Sequence, residues 1–123
     1  MRTKSLTVQF HNESMDYAES AMLAKMHGNI EEAERLFRKA LHLELKALYT
    51  FKEYLLEHKE PTYSVLRRSA ATLALDCNQP ELAKGLIAEA LLYGKPPTEI
   101  AQELQDLLEQ INIKNRLSLH GYA

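Results

Sequence analysis

The side chains able to do chemistry in this 123-residue chain are five histidines, one cysteine and a wide scatter of carboxylates. A di-metal carboxylate site in a helical bundle needs Glu-x-x-His on two helices. None of His11, His27, His42, His58 and His120 has a Glu three residues before it, and no HExxH occurs. His42 stands between Lys39 and Lys46 on what reads as a solvated helix face. His27 falls at a helix C-terminus, where a partly positive imidazole is favoured by the dipole. Cys77 alone excludes an intramolecular disulfide and a multi-Cys zinc site. At the end of a helix it lacks the dipole that activates a thiolate, so it reads as a buried structural residue. Gly94-Lys95-Pro96-Pro97 is a helix stop and not a phosphate loop. The carboxylates sit at helix starts and on polar faces, where solvation accounts for them. No nucleophile–base pair emerges, so the expectation is no catalytic residue, no metal and no cofactor.

Composition narrows the class further. The chain has the length of one domain. Its formal charge is −2, and its fifteen Lys and Arg are spread along the sequence. Nucleic-acid binding usually leaves a basic stripe, and none is read here. No apolar run approaches the ~18 residues of a membrane span. The start, M-R-T-K-S-L-T-V-Q-F-H, carries two basic residues but no apolar core of a secretory signal. The expectation is a cytoplasmic protein with no nucleic-acid and no membrane partner.

The elements that would carry these residues are helices, and one stretch dominates. From Gly28 to Glu60 there is no Pro, and no Gly after Gly28. Asn29 with Glu32 has the capping-box spacing. Ala33, Leu36, Phe37, Ala40, Leu41, Ala47, Leu48, Phe51 and Leu55 keep the helical period, with Glu44 as one polar exception. The spacing predicts one helix of roughly 28 residues, about 42 Å long. Before it, residues 1–11 alternate at Leu6, Val8 and Phe10 like a strand, which reads as an extended N-terminal arm. A first helix follows from a cap at Asn12 or Ser14 to His27-Gly28. After it, helices are expected over 62–76, from Pro80 to the Gly94 stop, and from a Thr98 cap with Ile100, Leu104, Leu107, Leu108 and Ile111 on one face. The helical domain is taken as 12–116 and a fraying tail as 117–123.

Two segments can be superposed. Ala33, Phe37 and Ala40 in N-I-E-E-A-E-R-L-F-R-K-A-L match Ala83, Ile87 and Ala90 in Q-P-E-L-A-K-G-L-I-A-E-A-L. In each, small residues let two helices cross closely while the bulky one fills the gap, and each segment follows a turn, Gly28-Asn29 or Asn78-Gln79. This pattern resembles the tetratricopeptide repeat (TPR), a helix–turn–helix unit recurring about every 34 residues. The likeness is best over Ser14–Ala47, with Tyr17 in place of the family's N-terminal aromatic and Ala21 in place of its Gly; it is degenerate from Ser64 onward. A similar segment occurs in three-helix MIT-type domains. Ala33 and Ala83 are fifty residues apart, and Leu45 stands where the family usually ends its second helix with Pro. The resemblance therefore implies an all-α fold, a TPR-like array of about five helices with an unusually long second one.

It also implies a non-catalytic module that binds a protein, peptide or partner helix. Carried over from the family's first helices, the partner-facing positions are Met22 and Lys25 in the first unit and Arg68, Thr72 and Asp76 in the second. The competing readings are a structural homo-oligomeric subunit and a small-ligand-binding bundle. A first helix confined to 12–27 leaves the second half of the long helix uncovered. On that ground Leu41, Leu45, Tyr49 and Leu56 are expected at a homodimer interface, the alternative being that the N-terminal arm with Leu6, Val8 and Phe10 covers them within one chain.

Overall fold

The computed structural model describes residues 2–54 and 59–119. The helices are α1 (Arg2–Met26), α2 (Ile30–Tyr54), α3 (Thr62–Asp76), α4 (Pro80–Tyr93) and α5 (Thr98–Leu119). Every regular element among the described residues is a helix, so the fold is all-α. Consecutive helices pack on one another: α1 lies along α2, α3 packs on α2 and α4, and α5 rests on α3 and α4. Arg68 meets Glu103, while Leu75 and Ile111 line one cleft, so α5 runs beside α3 in the same direction.

The main core gathers Ala21, Ala33, Leu36, Phe37, Ala40, Leu73, Ala74, Ala83, Leu86, Ile87, Ala90, Leu104 and Ile111. Burying each large apolar side chain stabilises the fold by about 1.5–3 kcal/mol. A second cluster of Ala47, Phe51, Tyr63 and Leu66, with Phe10 against it, ties the far end of the first helix pair to the start of α3.

The fifty-residue offset is visible in the backbone. Gly28 closes α1 at φ +80°, and Asn78 occupies the same place after α3 at φ +58°. Asn29 N donates to Ala24 O at 2.9 Å and Gln79 N to Ala74 O at 2.8 Å, while Gly28 N donates to Lys25 O and Asn78 N to Leu75 O, each at 3.0 Å. Both turns satisfy the last helical carbonyls in the Schellman manner with a left-handed residue. Beyond them Ala33 and Ala83, Phe37 and Ile87, and Ala40 and Ala90 are all buried.

Residues 2–11 differ from the extended arm expected. They continue α1 upstream, so α1 is as long as α2, with 25 residues in each. The alternation of Leu6 and Val8 misled because both are exposed. Besides Phe10, the residues that α1 turns inward there are Thr7, His11 and Ser14, four and three apart, a helical spacing carried by polar side chains. Ser14 is therefore no cap: it lies mid-helix and its hydroxyl donates to Ala40 O at 2.6 Å. Glu32, expected to reach back to Asn29, pairs with Arg35 instead. At the other end, α5 carries the tail's first residues to Leu119; residues 120–123 lie outside the described part, as do Leu55 and His58.

Candidate functional site

The two Schellman turns bring the C-terminal ends of α1 and α3 to the same side of the N-terminal end of α2. There Lys25 from α1, Ile30, Ala33, Glu34 and Phe37 from α2, and Asp76 from α3 line a cleft of about 130 Å³. Its floor is apolar and its rim carries one cation and two carboxylates. Burial pushes the Asp76 carboxyl above its ordinary value, and nearby Lys25 opposes that shift. The surface around it is unusually apolar. Met22 is 59 % exposed and Met26 78 %, and Ile30 is exposed as well. Met22 and Met26 stand one turn apart on α1, on either side of Lys25. Methionine is flexible and polarizable, so such a surface can adapt to an apolar partner side chain.

Of the five positions expected to face a partner, the structure brings Lys25 and Asp76 together in this cleft, with Met22 exposed beside it. Arg68 is committed elsewhere, its Nη1 donating to Glu103 of α5 at 3.0 Å. Thr72 is exposed, and its hydroxyl donates to Arg68 O. The premise behind the dimer surface is overturned, because α1 extends upstream and covers the second half of α2. Leu41 is only 5 % exposed, within the main core, and Leu45 packs against that core. Tyr49 remains 60 % exposed. Leu56 lies outside the described residues.

A second polar constellation joins α1 to α2. Glu44, the exception in the apolar stripe, is 0 % exposed and is met by His11, whose Nδ1 lies 2.9 Å from both carboxylate oxygens. The Glu44 hydrogen bond raises the His11 pKa above its ordinary value, against burial and the more distant charge of Arg68. One turn upstream Thr7 shares a hydroxyl–hydroxyl bond of 2.8 Å with Thr50. An acid inside an apolar stripe signals that a partner must face it, because an unpaired buried carboxylate is costly. Only the strand-like reading of residues 1–11 hid His11 as that partner. The pair fastens α1 to α2.

A further cleft of about 330 Å³ lies between the α3–α4 turn and α5, lined by Leu75, Asn78, Pro80, Gln110, Ile111, Lys114 and Asn115. Cys77, half-buried, ends α3; burial and the neighbouring Asp76 push its thiol up, away from reactivity. Among the described residues no group of three or more His, Cys, Asp or Glu is gathered closely enough to hold a metal. No described helix is long and apolar enough to cross a membrane.

No family model, curated protein or solved structure matches the chain.

Proposed function

We propose that this protein is a non-catalytic, TPR-like interaction module that takes an apolar side chain of a partner protein or peptide at the α1–α2–α3 cleft. The reading has it act in the cytoplasm, without metal or cofactor. The observation that carries it is the coincidence at one end of the molecule of a cleft floored by Phe37 and Ala33, a rim of Lys25, Glu34 and Asp76, and a fringe of exposed Met22, Met26 and Ile30. Large exposed apolar side chains set beside one another mark binding surfaces more often than chance exposure does. The charged rim could pair with backbone or side-chain groups of an incoming segment and set its orientation.

The test is quantitative affinity capture with the wild-type chain and with Met22→Glu/Met26→Glu. Both methionines are exposed, so the double variant should unfold at an unchanged temperature. The expected result is that one or a few proteins held by the wild type are lost from the variant. Indistinguishable capture by the two would overturn the reading.

A further inference from the structure

The basic residues that look scattered in the sequence are gathered by α2 into a row. Lys39 and Lys46 are seven residues apart and so lie on one helix face, with His42 between them and Arg38 alongside. That face is turned about 160° from Phe37, and so away from the cleft at α3. The two ammonium groups are not left loose in solvent. Lys39 Nζ lies over the Tyr17 ring, 5.1 Å from its centroid, and Lys46 Nζ over the Phe10 ring at 5.6 Å. Both rings belong to α1, which therefore fixes two cations about 10 Å apart along α2, at 1.5 Å per residue. Between Arg35 and Phe51 the one acid of α2 is Glu44, which is buried against His11. Among the described residues no carboxylate forms a salt bridge with Arg38, Lys39 or Lys46. Glu13, between Phe10 and Tyr17 on α1, accepts from the Gln9 amide.

We propose that this row is a second docking surface, and that its occupant is an acidic helix of another protein presenting carboxylates at i and i+7. The spacing of such carboxylates equals that of Lys39 and Lys46, and ring contacts that already restrict the two lysines lower the ordering cost of binding. Exposed Tyr49 extends the row with an apolar contact one turn beyond Lys46. Charge distinguishes this occupant from two others. A second copy paired about a two-fold axis through His42 would set Lys46 of one chain against Arg38 of the other, like charge on like. A continuous polyanion such as nucleic acid or an anionic membrane would run onto Glu31 and Glu32 at the start of α2 and Glu13 beside the row. A helix with discrete carboxylates can avoid those acids. With the α3-side cleft on the opposite flank, the protein would bridge two partners, as a small adaptor does.

The experiment uses the full chain and a fluorescently labelled, Ala-rich helical peptide of about 20 residues with Glu at every i, i+3 and i+7 position along one face. Anisotropy titrations at about 50 mM salt should give saturable binding. Lys39→Glu/Lys46→Glu should weaken it by at least about tenfold, Lys39→Gln/Lys46→Gln by less, and a Gln-for-Glu peptide should not bind. Met22→Glu/Met26→Glu should bind like wild type, which separates this surface from the cleft. Circular dichroism should show the same helix content in every variant. The proposal is overturned if the wild type shows no saturable binding, if the charge-reversed variant binds equally well, or if duplex DNA or phosphatidylserine vesicles bind more tightly than the peptide.

Discussion

In the first hairpin, α1 and α2 run on past Ser14 and Ala40, and His11 meets Glu44 across the gap; fifty residues later the matching positions are Pro61 and Gly94, where α3 begins and α4 ends. Up to that point the two hairpins correspond closely. Ser14 and Ser64 are both buried, as are Ala40 and Ala90. Where Lys39 lies over the Tyr17 ring in the first hairpin, the second sets Glu89 3.6 Å from buried Arg67. Arg67 is held further by the Tyr63 ring, 3.7 Å from its guanidinium carbon. Two different chemistries thus join the same pair of positions. The comparison teaches that turn and crossing make the hairpin, while length is set separately by what each helix meets at its open end. A histidine opposite a glutamate lets both helices continue. A proline opposite a glycine stops both.

The largest expected effect tests that continuation. His11→Ala leaves the Glu44 carboxylate buried without its partner and should destabilise the protein by about 3 kcal/mol, read from denaturant midpoints. His11→Ala/Glu44→Leu should recover much of that loss, since a matched apolar pair removes the stranded charge. Recovery of nothing would mean that His11 matters for some reason other than Glu44.

The shared crossing comes next. Ala40→Leu and Ala90→Leu insert bulk at equivalent buried sites, and each should cost about 1–3 kcal/mol. Costs of similar size would bear out the equivalence of the hairpins; an unchanged midpoint for either would break it. Gly94→Ala probes the stop in the second hairpin. A Cβ there would lie 2.7 Å from Ala90 O, 2.8 Å from Glu60 Oε2 and 2.9 Å from Tyr63 Cδ1. The variant should lose about 1–2 kcal/mol, whereas Gly85→Ala, with open space around its Cβ, should gain about 0.5–1 kcal/mol from helix propensity.

The smallest effect is a pH dependence that only the first hairpin should show. The folded state raises the His11 pKa, so it binds more protons than the unfolded chain between about pH 6.5 and that raised value. The stability contributed is fully present below about 6.5 and is lost as pH rises through the folded value. His11→Gln should flatten this slope in thermal scans across the window, and an unchanged slope would assign it to another group.

The turns, the alanine crossings and the bounds of α3 and α4 were legible because small residues at fixed spacing and Gly, Asn and Pro punctuation act locally. The start of α1 was not. Its inward positions Thr7, His11 and Ser14 are polar, so a search for apolar period passes over them, and the exposed Leu6 and Val8 supply a false one. That misreading carried into the surface: a first helix beginning at residue 12 cannot reach Lys46 and Thr50, which Phe10 and Thr7 meet. The cleft was half legible. Lys25 and Asp76 each stand at a partner-facing position of their own segment, but their meeting depends on where two helix ends arrive in space, which neither segment encodes alone. Likewise the basic row needs the rings of Phe10 and Tyr17 from a helix whose extent the sequence did not reveal.

Glu60 has a consequence for how the chain could be cut and rejoined. Its carboxylate accepts from Ser64 N at 3.1 Å and from the Ser64 hydroxyl at 2.8 Å, and also from Lys95 N at 2.6 Å, thirty-five residues further on. The segment from 60 to 95 therefore leaves and returns at one point, as a noncovalent ring containing the whole of α3 and α4. Its ends are held within the reach of one glutamate side chain. A short linker could therefore join residues 60 and 95 to close the α3–α4 hairpin into a ring.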